Sequence, residues 1–329
     1  MFVVIGSTNV DLFIYGPEQR PHREMDEFTS DNLAFCDEPL TVTLGGNGAN
    51  TAYVLGRLGA PVALCATVGR DALGDLIASW LSDAGVDTSA LVRDPAVSTS
   101  STTVIMDAAR NRQCFHHRGG NATHGLWDTP PELLLRANGL LITSYPLLLR
   151  WRPDGVRAAL ATAKAAAAIT ALDIGPTLGP PVTVDEISGL TADLDYLIAN
   201  EHELATCTGE KDVGDGIDRL LGACAECVII KRGNRGALFQ RRGDRHSTSI
   251  PGFPVDSRST IGAGDSFNAG FLYALGMGSS TAEAVRFANA VASLVVQAEQ
   301  GALGAPTVGQ VGRLFEAHSD DSKGPAERQ

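Results

Sequence analysis

Gly262, Ala263, Gly264 and Asp265 form the stretch whose residue types and spacing best suit chemistry. It leads into Phe267, Phe271, Leu272 and Leu275, apolar residues at helical spacing that predict a helix ending at Gly276. Two glycines one residue apart let the backbone come close to a ligand. At a helix start, free N–H groups and the positive end of the dipole favour an anion. Asp265 stands at the same point, placed to take the proton from a hydroxyl that attacks phosphorus. An anion hole and a base at one helix start point to phosphoryl transfer. On this segment alone, a plain Gly-rich turn with Asp in the first helical turn stays open as the alternative.

The elements around it fit a site at the mouth of a sheet. Residues 2–5 read as a buried first strand running into Gly6-Ser7-Thr8-Asn9-Val10-Asp11. Polar groups there lie where open α/β sheets bind ligands, and Asn9 and Asp11 suit hydroxyls. Residues 41–44 read as a strand leading through Gly45, Gly46, Asn47, Gly48, Ala49 and Asn50 into a helix that stops at Gly59. The paired glycines allow a hinge or a close ligand approach, and Asn50 faces the cleft. From residue 140, strands at 140–143, 169–173, 194–199 and 227–231 alternate with helices. That pattern predicts an α/β, doubly wound, mostly parallel sheet with helices on both faces. Asn200 and Glu203 share one helical turn after a strand. Gly233 and Gly236 bracket a turn after Lys231.

Segments 102–106 and 113–116 alternate like a hairpin. With residues 12–44 they predict a small β-lid built from about 12–44 and 98–120. His116, His117 and Arg118 sit near its end as solvated residues that touch substrate or a partner subunit. Phe13, Phe115 and Trp127 are either stacking residues for a base or lid core. One domain is expected over 1–318, followed by a polar, unstructured tail at 319–329.

The chain has 329 residues, 44% of them apolar, enough for a large core. Its net charge of −12 argues against general binding to nucleic acid or to an anionic membrane. No apolar run approaches the roughly 18 residues that span a bilayer. The opening reads as a strand and not a signal peptide. Six scattered cysteines suit reduced thiols in the cytoplasm. Cys224 and Cys227 match C-x-x-C, but no second pair completes a zinc site. Neither the dinucleotide fingerprint G-x-G-x-x-G after the first strand nor G-x-x-x-x-G-K-[ST] occurs.

Two segments resemble the two signatures of the PfkB (ribokinase-like) carbohydrate kinases: residues 45–52 with the helix to Gly59, and residues 260–270. Gly6, Asn9 and Asp11; Val68, Gly69, Arg70, Asp71 and Gly74; Asn200 and Glu203; and Lys231, Gly233 and Gly236 follow in family order. The resemblance runs from residue 1 to about 312. It implies an enzyme that moves the γ-phosphoryl group of ATP to a primary hydroxyl of a sugar, with a nucleoside as the alternative acceptor. A non-catalytic ligand-binding or regulatory relative is the alternative of another class; intact Asp265 and glycines favour the enzyme.

By the resemblance, Asp265 is the base and Gly262, Ala263 and Gly264 form the anion hole. Asn9, Asp11, Gly45, Gly46 and Asn50 grip the acceptor. Asn200 and Glu203 place Mg²⁺ through water, and Lys231, Gly233, Gly236 and Asn289 lie along the nucleotide. The chain departs from the pattern at Ser259, where many members carry an Asp of a monovalent-cation site, which leaves potassium activation open. Asn47 stands where ribokinases proper have Lys, and Ser144 in the region of a sugar-binding Glu. Both departures argue against ribose itself. Open lid edges further predict a homodimer.

Overall fold

The computed structural model describes residues 1–16, 36, 38–107, 111–190, 193–223, 226–256, 260–298 and 300–321. In chain order, β1 (Phe2–Ile5) runs into β2 (Asn9–Tyr15). β3 (Thr41–Gly45) leads into α1 (Asn47–Arg57), and β4 (Val62–Gly69) into α2 (Ala72–Asp83) and β5 (Leu91–Asp94). β6 (Ser101–Met106) and β7 (Arg112–His117) follow as a hairpin. Then come α3 (Pro131–Leu135), β8 (Gly139–Ile142), α4 (Asp154–Ala165), β9 (Ile169–Asp173), α5 (Val184–Ser188) and β10 (Tyr196–Asn200). α6 (Glu201–Thr208), α7 (Val213–Ala223), β11 (Cys227–Lys231), β12 (Ala237–Arg241) and β13 (Thr248–Ile250) precede α8 (Ala263–Gly276), α9 (Thr281–Gln297) and α10 (Val308–Asp321).

Nine strands make one sheet in the order β13-β12-β11-β10-β9-β8-β1-β4-β5. From β11 to β5 the pairings are parallel; β12 and β13 join antiparallel. β1, β4 and β8 are buried along their whole length, as a parallel sheet covered on both faces requires. Separate apolar clusters fill the two faces, one under α4, α5 and α7, the other under α1, α2, α8 and α9. Gly270 on α8 makes room for α9, since a Cβ there would lie 3.0 Å from Ala288 Cα.

The chain order turns around β1, which lies between β4 and β8. At such a switch point the carboxyl ends of the strands open a crevice. Gly6, Gly69, Thr143, Asp173, Asn200 and Lys231 all stand at those ends. Above them lies the second sheet, in the order β3-β2-β6-β7, which is the lid expected from 12–44 and 98–120. The part of that expectation within 17–35, with 37 and 108–110, lies outside the described residues.

The short helices α3 and α5 lie outside the expectation, and β5, β13 and α10 also differ from it. β5 and β13 are edge strands of four and three residues, too short to show a period. Helix α10 continues to Asp321, past the expected boundary at 318. Its apolar face is the reason: Val311 is fully buried, and Phe315 meets Phe253 with ring centroids 5.6 Å apart. Residues 322–329 lie outside the described residues.

Candidate active site

α1 and α8 bring their N-termini together, and Asp265 stands between them. Gly262 caps α8 with φ of 74°, a left-handed conformation that glycine adopts without strain. Asp265, in the first turn, does not cap its own helix. Its two oxygens accept from α1: Asn47 Nδ2 donates to Oδ1 at 2.8 Å and Asn50 Nδ2 to Oδ2 at 2.8 Å. Thr51 Oγ1 donates to the Asp265 carbonyl at 3.3 Å. Burial raises the Asp265 pKa; the Asn50 amide opposes this, the Asp173 carboxylate adds to it, and the Lys231 ammonium and the Asn47 amide pull it back. The net direction is upward, as suits a carboxylate that must take up a proton, while the two amide donors and Lys231 favour its ionised form.

Asn50 has a second feature. Its Oδ1 is buried without a hydrogen-bond partner among the described residues, an acceptor left unsatisfied. Asn47 is tied back on its other side. Ser144 Oγ donates to Asn47 Oδ1 at 3.0 Å, and Ser144 Oγ and Ser7 Oγ lie 2.7 Å apart. The two positions that depart from the ribokinase pattern thus form one chain ending on Asp265.

The acceptor-binding candidates gather on lid strands β2 and β3 and at the start of α1. Asn9 Nδ2 donates to Asp11 Oδ1 and, at 3.3 Å, to Thr102 Oγ1. Burial pushes Asp11 up to about 6; hydrogen bonds from Thr102 and Asn9 oppose it, and the Asp265 charge adds to it. Gly45 faces this pair, and a Cβ there would lie 2.4 Å from Asn9 Nδ2 and from Asp11 Oδ2. Gly46, with φ of 86°, caps α1 and packs on the turn after β1, where a Cβ would meet Ser7 O at 2.5 Å.

On the other side of Asp265 a cleft of about 1200 Å³ opens along α8 and α9. Gly262, Ala263 and Gly264 form one edge, at the N-terminus of a 14-residue helix. Beneath them Lys231 Nζ donates to Asp173 Oδ1 at 2.8 Å, and Thr143 Oγ1 donates to Asp173 Oδ2 at 2.9 Å. Burial works against the Lys231 charge, but Asp173 and Glu203 outweigh it and the pKa ends raised. Asn200 and Glu203 close a reciprocal cap on α6: Asn200 Oδ1 accepts from Glu203 N, and Glu203 Oε2 from Asn200 N, both at 2.8 Å. Burial, then Asp173, push Glu203 up to about 7, against Lys231 and the Asn200 N–H. Gly233, Gly236 and Asn289 line the far wall with Phe253, Val255, Ala292 and Val296. Asn289 Nδ2 donates to Ile250 O and Pro251 O at 3.2 and 3.1 Å, holding that wall in place.

All of the residues predicted for the site therefore meet at one end of the sheet, in two groups on either side of Asp265. Sequence reasoning left out Asp173, whose place at the end of a predicted strand was the available signal. It also left out Asn47 as a partner of the base, and Thr102. Arg258 and Ser259 lie outside the described residues, and the monovalent-cation expectation with them. Phe115 and Trp127 are 56% and 96% exposed and form no aromatic wall, whereas Phe13 is buried in the lid. Cys227 is buried in β11, and its C-x-x-C partner Cys224 lies outside the described residues.

Comparison with known proteins agrees with this geometry. The model of the pfkB family carbohydrate kinases matches residues 1–308. A ribokinase of Staphylococcus aureus is 24% identical, over 95% of this chain and 98% of its own length. An ATP-dependent ribose-1-phosphate kinase of Halopiger xanaduensis is 30% identical, over 84% of this chain and 88% of its own. The structure of Arabidopsis thaliana ribokinase complexed with ribose and ATP superposes with a TM-score of 0.81 at 26% identity, covering 96% of this chain and 98% of that one. The chain belongs to the pfkB family of carbohydrate kinases. It is an ATP-dependent phosphotransferase that acts on a sugar hydroxyl.

Proposed function

We propose that Asp265 is the general base of this transfer. The observation that carries the reading is the pair of 2.8 Å carboxamide bonds that orient its carboxylate at the start of α8. A primary hydroxyl of the sugar lies against Asp265, gripped by Asp11, Asn9 and the free Oδ1 of Asn50, with Gly45 and Gly46 leaving the space. Asp265 takes the hydroxyl proton as the oxygen forms its bond to the γ-phosphorus, and the bond from that phosphorus to the ADP oxygen breaks. The N–H groups of Gly262, Ala263 and Gly264 receive the charge on the transferring group. The adenosine end lies along Gly233, Gly236 and Asn289, where Phe253, Val255 and Val296 offer an apolar wall.

Magnesium fits the acidic side of the cleft. Among the described residues no cluster of three His, Cys, Asp or Glu holds a metal directly. Asn200 and Glu203 would therefore hold the ion through water. Burial, then the Asp173 charge, raise the Glu203 pKa, and a divalent cation beside it would favour its ionised form. When bound, the ion neutralises phosphate charge. Lys231 sits under Gly264 as fixed positive charge.

Among the described residues, Asp11 and Thr102 pair beside the acceptor position and Phe115 is exposed, which supports a sugar over a nucleoside. The lid's outer strands, with Val42 and Phe115 exposed, are where a second copy pairs. No helix among the described residues is long and apolar enough to cross a membrane. Free cysteines such as Cys65 and Cys207 favour the cytoplasm. The test of the reaction is ADP release from ATP–Mg²⁺ over neutral sugars, sugar acids, sugar phosphates and nucleosides, with and without K⁺. Turnover on a sugar class supports the reading; turnover on nucleosides alone contradicts the acceptor.

A further inference from the structure

The register of the lid sets three polar residues in one row. Asp11 pairs with Thr102, and Thr102 with His116. Thr102 Oγ1 joins them, 3.3 Å from Asn9 Nδ2 and 3.1 Å from His116 Nδ1. One end of the row is acidic, at Asp11 and Asp265; the other runs into His116 and Arg118.

At that basic end is a second, small pocket of about 20 Å³. His116, Arg118 and Asn121 line it, with Pro146, Leu147 and Pro180 as apolar sides. It adjoins the acceptor position through short contacts. Asn121 Oδ1 accepts from Thr8 N at 2.9 Å, one residue before Asn9. Pro146 follows shortly after Ser144, which is bonded to Asn47. The size suits one terminal group and not a second ring.

Three polar side chains stand among the apolar ones of this lining. Asn121 is 8% exposed and its Nδ2 has no hydrogen-bond partner among the described residues, while its oxygen is taken by Thr8. A buried N–H donor left this way is costly unless a ligand satisfies it. Among the described residues no carboxylate pairs with Arg118. Burial, then the charges of Arg118 and His117, lower the His116 pKa, which favours the neutral imidazole, so the positive charge of this lining is that of Arg118. The polar part of this otherwise apolar lining offers donors and, at Arg118, positive charge, which suits an anion.

We propose that the acceptor is an anionic sugar, with its reacting hydroxyl between Asp11 and Asp265 and its carboxylate or phosphate substituent held by Arg118, His116 and Asn121. This rests on the kinase reading of the same site and names its substrate class. The neighbouring Ser144 contributes hydroxyl bonds and no charge.

Calorimetric titration without ATP tests it, using ribose 1-phosphate against ribose and gluconate against glucose. The charged member of at least one pair is expected to bind about tenfold tighter or more, the scale of one charged hydrogen bond. Arg118→Gln, at an exposed position, is expected to weaken the charged member about tenfold more than its neutral partner. A preference confined to phosphate or to carboxylate supports the site and names the anion. Equal binding within both pairs, no binding of either charged member, or equal weakening of both members by Arg118→Gln overturns the proposal. ADP release on the same pairs separates the two readings. Turnover without charge preference removes the anion site and leaves the kinase; charge-selective binding without turnover on any sugar keeps the anion site and removes catalysis.

Discussion

Asn47→Ala is the change that isolates how the base is tuned. In the folded chain Asn47 Nδ2 donates to Asp265 Oδ1 at 2.8 Å, and Asn50 serves the other oxygen. The substitution removes one of two side-chain donors to a buried carboxylate and leaves Ser144 its contact with Ser7. A hydrogen bond to a charged group contributes about 1.5–3 kcal/mol. At roughly 1.36 kcal/mol per pKa unit, that raises the Asp265 pKa further by about one to two units. The sign follows from the donor favouring the ionised form: without it the base stays protonated to higher pH. The acidic limb of kcat/KM against pH is therefore expected to move up by about one to two units. At pH below the new limb the rate falls; at high pH it returns toward that of the parent. An acidic limb that stays in place, with a loss equal at every pH, refutes the reasoning and makes Asn47 a contact of the substrate instead.

Gly45→Ala places a Cβ 2.4 Å from Asn9 Nδ2 and Asp11 Oδ2, so Asp11 must move. Initial-rate kinetics are expected to show acceptor KM raised about tenfold or more with a much smaller change in KM for ATP; equal changes in both contradict the assignment of Asp11 to the acceptor. Glu203, at about 7 in the fold against an ordinary 4.5, holds its proton in the folded state over that window. Its contribution to stability is present below the ordinary value and is lost as pH rises through about 7. Glu203→Gln keeps an acceptor for Asn200 N–H and lacks the titration, so urea unfolding of the unliganded protein is expected to show less loss of stability between pH 4.5 and 7 than in the parent; parallel curves exclude this role of Glu203.

Much of this site is legible in the amino-acid sequence, and the reason is local. Glycines, helix starts and strand ends leave marks within a few residues. Asp265 with its glycines, Asn200 with Glu203, and the alternation after residue 140 all sit in such marks. What depends on pairing between distant segments is not legible in the same way. Asn47 reaches Asp265 across 218 positions. Asp173 reaches Lys231 across 58. The row of Asp11, Thr102 and His116 exists only once the lid strands are in register. The short edge strands β5 and β13 carry too few residues for a period, and α10 shows its role only through the rings it packs against. Asn47 and Ser144 illustrate the limit well. As residues they read as departures from a pattern; in the fold they form one hydrogen-bonded chain that ends on the base.

The most direct test of the account is Asp265→Asn, a change that keeps the side chain's shape and removes the base. With the sugar acceptor identified, kcat is measured beside ATP binding by calorimetry. The account predicts a fall in kcat of about 10²–10⁴ with ATP binding largely retained. An unchanged kcat would contradict the assignment of Asp265 as the general base.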